Sequence, residues 1–131
     1  MKQEDIVRFQ TLSQELEHIQ EHTKKIDEQI EEVIGLIDSL QEFSQTKTGS
    51  NMLFPLANGI FAQGTITNNQ TLKVNVGQDV VVEKTVAETK ELVEEQLHNL
   101  ERQRDAMNNK ENNIYEELTR LEEQVRKEQP E

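Results

Sequence analysis

The chain has 131 residues and a formal net charge of -12, and it is 33% apolar, 4% aromatic and 31% charged. That is one domain's length, but with too few large apolar side chains for a globular core, so a chain this polar either stays disordered or buries a narrow seam. It has no cysteine, which excludes disulfides and thiolate–metal chemistry, and no run of about 18 apolar residues that would span a membrane.

The charge is uneven. Residues 1–43 hold 4 Lys/Arg against 11 Asp/Glu, residues 44–84 hold 3 against 2, and residues 85–131 hold 7 against 13. Acidic arms around a near-neutral centre lack the clustered cations that a phosphate backbone requires, so nucleic acid is not an expected partner. The opening MKQEDIVRFQ has no apolar h-region, and a cytoplasmic location is expected.

The first arm repeats without a slip. Phe9, Leu12, Leu16, Ile19, Thr23, Ile26, Ile30, Val33, Ile37 and Leu40 follow one another in alternating steps of 3 and 4, which is the a/d pattern of a coiled coil. A helix of about 39 residues would be roughly 60 Å long and has to pair lengthwise. Thr23 is the polar member of this seam. His18 and His22 stand four apart, a spacing that suits a metal. The register puts them at c and g on the solvated face, and no metal site is expected.

Residues 45–51, QTKTGSN, end the helix in a polar loop. Leu53–Ala57 and Ile60–Ile66 flank Asn58-Gly59, the strongest short hairpin signal, since both turn positions need positive φ. Pro55 cannot donate to a ladder and predicts an edge or a bulge. After residues 67–70, Leu72, Val74 and Val76 alternate with polar residues. Gly77-Gln78 reads as a two-residue turn into Asp79–Lys84. Two hairpins cannot close a core, and open edges invite other chains, so this module is expected to join hairpins of several subunits.

Thr85-Val86-Ala87-Glu88 has the form of a capping box and predicts the start of the second arm. Its seam reads Val86, Val93, Leu97, Leu100, Arg104, Met107, Glu111, Ile114, Leu118, Leu121 and Val125, with Lys90, Arg104 and Glu111 as charged members. Both arms leave one small module, so they are expected to run antiparallel, with residue i opposite about 129 minus i. That sets Thr23 near Arg104 and Met107, next to the Asn-rich residues 108–113, where helix propensity is poor and flexibility is expected. Phe9 and Leu12 fall opposite Leu118 and Leu121 at the tip, and Ile6 and Val7 lie off the seam. The expected fold is mainly α: a long antiparallel coiled-coil hairpin with two β-hairpins at its base that oligomerise into a β-barrel. Its segments are 1–44, 45–84 and 85–127, with a frayed tail at 128–131. No nucleophile stands beside a base and no phosphate loop occurs, so neither an enzyme nor a cofactor is expected.

Leu53-Phe54-Pro55-Leu56, Gly59 and Phe61-Ala62-Gln63-Gly64-Thr65-Ile66, followed by Val74-Asn75-Val76-Gly77 and Val80-Val81-Val82-Glu83-Lys84-Thr85, resemble the two hairpins of the archaeal-type α class of prefoldin subunits. The resemblance covers nearly the whole chain in layout and about residues 53–85 in motif. It implies a hexamer with two α and four prefoldin β subunits, a double β-barrel body and six coiled-coil arms. The arms would hold non-native polypeptides without ATP and deliver them to a group II chaperonin. On this chain it implies barrel positions at Leu53, Phe54, Leu56, Ile60, Phe61, Ile66, Leu72, Val74, Val76, Val80, Val81 and Val82. Client contacts would fall at Ile6, Val7, Phe9, Leu12, Leu118, Leu121 and Val125. Ala57-Asn58 stands where the family pattern suggests Gly-Ala. The alternative is a structural coiled-coil protein, either a filament-forming relative or an oligomeric adaptor.

Overall fold

The computed structural model describes residues 2–128. In chain order it has helix α1 (Gln3–Gln45), strands β1 (Asn51–Ala57), β2 (Ile60–Thr65), β3 (Thr71–Asn75) and β4 (Val81–Thr85), and helix α2 (Val86–Glu128). Residues 129–131, most of the expected tail, lie outside the described residues. The chain divides into two compact units, residues 1–31 with 98–131, and residues 32–97.

The first unit is a helix pair whose strands of sequence run in opposite directions. Arg8 pairs with Glu117 at 3.0 Å, the Gln20 amide donates to the Tyr115 hydroxyl at 3.3 Å, and Arg104 lies 3.7 Å from Asp27. Partner numbers fall on one helix as they rise on the other, close to the register that the seam spacing predicts. Leu12, Ile26, Ile30, Ile114 and Leu121 are buried, and Leu16, Ile19, Thr23, Leu118 and Val125 are half-buried. These are the seam positions, so the 3–4 repeat is what sorts this unit into a dry stripe and a wet surface. Helix α2 continues without a break through Asn108–Asn113.

In the second unit Leu40, Ile66, Thr89 and Val93 are buried. Thr89, not Lys90, fills the turn between Val86 and Val93. Its hydroxyl donates to the Thr85 carbonyl at 2.9 Å, while Lys90 is half-buried with its ammonium 4.0 Å from Glu94. The heptad count favoured Lys90, but a threonine that satisfies its own hydroxyl costs less to bury than an ammonium.

The four strands form two separate two-stranded sheets, β1 with β2 and β3 with β4, rather than one closed sheet. Asn58 and Gly59 both take positive φ, 51° and 78°, and join Ala57 to Ile60 directly. The register slips between Pro55 and Ala57, the bulge that a proline without an N–H requires. The second turn is one residue longer than Gly77-Gln78 suggests. Gly77, Gln78 and Asp79 all have positive φ, Val76 N–H donates to Val80 O at 2.9 Å, and Asn75 stands opposite Val81. One extra residue changes which side chains share a face. Leu72, Val74 and Val82 lie on one side with Lys84, and Val81 lies on the other.

Candidate functional site

Two apolar surfaces remain open. The first is on the hairpins. In β1–β2, Met52 and Phe54 share a face with Ala62 and Gly64, while Leu53 and Pro55 share the opposite face with Gln63 and Phe61. Neither face is covered, because Phe54 is 43% exposed on the first and Leu53 64% and Phe61 56% on the second, and Leu56 in the bulge is 69% exposed. Ile60 and Met52 are exposed as well. Met52 was not marked by sequence, which starts the apolar run one residue later. In β3–β4, Val76, Val80 and Val81 are exposed and Leu72, Val74 and Val82 are half-buried. Ile66 differs from the other expected barrel positions because it is already buried. Its N–H donates to Ser50 O at 3.0 Å and its carbonyl accepts from Gly49 N–H at 2.7 Å, which ties it to the loop after α1.

Local chemistry fixes these hairpins to the helices. Asn69 donates its side-chain amide to Thr46 O at 2.8 Å, and Asn68 Oδ1 accepts from the N–H groups of Gln70 and Thr71. Val86 N–H donates to Gln70 O at 2.9 Å. At the start of α2, Glu88 N–H donates to Thr85 Oγ1 and Thr85 N–H donates to Glu88 Oε1, both at 3.1 Å, the reciprocal capping box that the sequence predicts. The bond from the Thr85 N–H, with the Thr85 side chain and Lys84 beside it, holds the Glu88 carboxyl below its ordinary range against the opposing effect of desolvation.

The second surface is at the chain-terminal end of the first unit. Ile6, Val7 and Phe9 are exposed, whereas Leu12 and Leu121 are buried and Leu118 and Val125 half-buried. Phe9 occupies an a position but is 41% exposed, because the next seam position beyond it is Asp5 and the apolar stripe ends there. An open groove beside these residues is lined by Val7, Arg8, Thr11 and Leu12 with Glu15 and Glu117. Exposed apolar side chains also occur off the seam at Ile34, Leu36 and Leu92, and the repeat gave no signal for these.

Among the described residues, no three His, Cys, Asp or Glu side chains gather as metal ligands. No helix there is long and apolar enough to cross a membrane.

Two long helices with two apolar β-hairpins between them in the chain define the class. The family model for prefoldin subunits matches residues 12–131, and the chain belongs to the prefoldin family, a family of chaperones. Similar proteins include prefoldin subunit alpha of Archaeoglobus fulgidus, 25% identical over 94% of this chain and 90% of its own. Prefoldin subunit alpha of Methanococcus vannielii is 26% identical over 91% and 80%. Among solved structures, a filamentous PFD from Methanocaldococcus jannaschii determined by cryo-EM superposes with a TM-score of 0.77. It covers 94% of this chain and 99% of that one at 15% identity, a likeness of fold.

Proposed function

We propose that the chain is an α-type subunit of an ATP-independent holding chaperone. It joins β-type prefoldin subunits, in the ratio of two to four, through Leu53, Phe54, Leu56, Ile60, Phe61, Leu72, Val74, Val76, Val80, Val81 and Val82. The assembled arms grip non-native polypeptides at their tips in the cytoplasm and deliver them to a group II chaperonin. The observation that carries this reading is the exposure of Ile6, Val7 and Phe9 at the end of an acidic helix pair whose other apolar residues are mostly withdrawn into the seam. Exposed apolar side chains clustered at one end are a surface for other apolar chains. Several such ends on one body add weak contacts through effective concentration, with no covalent step. The net charge of -12 keeps a loaded complex soluble.

The test is aggregation of a chemically unfolded protein without ATP, with this chain alone, with a β-type partner, and with Ile6, Val7 and Phe9 changed to Ser. Protection that requires the partner and fades in the Ser variant supports the reading. A well-formed complex that gives no protection refutes it. A chain that grows alone into open filaments moves the assignment to a structural protein.

A further inference from the structure

Thr23 is an anomaly among the helical threonines. Thr11, Thr89 and Thr119 each donate their hydroxyl to the carbonyl four residues back, all at 2.9 Å. Thr23 Oγ1 is buried and has no hydrogen-bond partner. A buried polar group left without a partner destabilises the closed state of the layer that holds it. Thr23 shares a groove with Glu111, Asp27, Glu28 and Lys24. Glu111 is half-buried at a seam position and makes no ion pair among the described residues. Arg104, the other charged seam residue of this stretch, turns its guanidinium to Asp27 at 3.7 Å. The defect is therefore Thr23 with Glu111, not the charged seam as a whole. Asn108, Asn109, Asn112 and Asn113 flank Glu111, and asparagine is a poor helix former.

On one side of the defect the seam holds Ile26 and Ile30, which are buried. On the other side, toward the chain ends, it holds Leu12, Ile114 and Leu121, also buried. A helix pair with a weak internal layer opens in cooperative units that divide at that layer, because the layers on either side of it no longer support one another across it. We propose that residues 3–22 and 108–128 open as a unit at the Thr23–Glu111 layer, and that this opening presents Leu12, Ile114 and Leu121, which the closed pair withholds. The second clause rests on the holding-chaperone reading above, while the first does not.

The test compares the full chain, assembled with a β-type partner, with its Thr23→Ile/Glu111→Leu variant by amide hydrogen exchange. In the parent, amides of 10–22 and 108–122 exchange about tenfold or more faster than those of 26–31 and 98–104. In the variant, only the outer set slows. Uniform protection in the parent, or equal slowing of both sets, overturns the proposal. Because the chain has no cysteine, a second readout is the thiol-labelling rate of Leu121→Cys against Ile26→Cys. The double substitution slows labelling at 121 and leaves 26 unchanged, and equal change at both contradicts the opening step. If the outer amides slow but the variant still suppresses aggregation like the parent, the opening stands and its use for presenting clients is refuted. If neither protein suppresses aggregation, the chaperone reading fails and the exchange result still decides the opening.

Discussion

The ring of Phe54 lies against Gly64 across the β1–β2 ladder, so close that a Cβ on Gly64 would sit 2.8 Å from Phe54 Cδ2 and nearer still to Cε2. The pair is diagonal, since Phe54 stands directly opposite Ala62 and Gly64 opposite Met52. The missing side chain gives the ring a flat seat on one face of the hairpin.

Gly64→Ala should therefore push the ring toward solvent, where Phe54 already has room. The loss of a cross-strand contact of this kind is about 0.5–1 kcal/mol. A larger effect is expected on assembly with a β-type partner, because the displaced ring changes the surface offered to it. Sedimentation of the mixed subunits measures that loss, and unchanged association would show that this face is not used.

The first turn gives a second prediction. Both its residues sit in the left-handed region, where a side chain with a Cβ costs about 1–2 kcal/mol. Gly59→Val should destabilise the hairpin by about that amount, and Asn58→Gly should change little. Denaturant midpoints of the two variants separate them.

The capping box gives a pH dependence with a definite sign. The folded state holds the Glu88 carboxyl below its ordinary range, so its charge stabilises the start of α2 above the unfolded carboxyl's pKa. That contribution fades from about pH 5 downward and is gone below the lowered folded value. The difference in melting temperature between the parent and Glu88→Gln should be largest near pH 7 and should vanish in acid. Thr85→Ala removes the N-cap and should cost about 1 kcal/mol.

Thr23→Val replaces an orphaned hydroxyl with a methyl of similar shape. It should stabilise the helix pair by about 1 kcal/mol, the cost of leaving a buried polar group unpaired. An equal or lower denaturant midpoint would mean that the hydroxyl finds a partner in solution.

Much of this molecule is legible in its residues. The alternation of 3 and 4 predicts the seam, Asn58-Gly59 predicts a turn, Pro55 an edge or a bulge and Thr85 with Glu88 a cap, because each of these signals is local. The misses are places where two local solutions compete. Gly77-Gln78 suits a two-residue turn, but Asp79 also accepts positive φ, and the longer loop puts Val82 rather than Val81 on the face of Leu72 and Val74. Thr89 displaces Lys90 because it satisfies its own hydroxyl, which the heptad count cannot see. Ile66 reads like its strand neighbours, yet it is captured by Gly49 and Ser50, a pairing set by the loop after α1. At the coil end, sequence places Phe9 with Leu12, while burial separates them, because the stripe runs out at Asp5.

On the proposed reading, position in the fold, and not apolar exposure alone, selects the client-holding residues. Phe9 and Leu36 are equally open, at 41% and 45%, but they stand at different places along α1. The most direct test places a photo-crosslinking amino acid at 9 or at 36 in the assembled complex and presents an unfolded protein without ATP. Strong crosslinks are expected from position 9 and few from 36. Equal crosslinking from both, or more from 36, would contradict that reading.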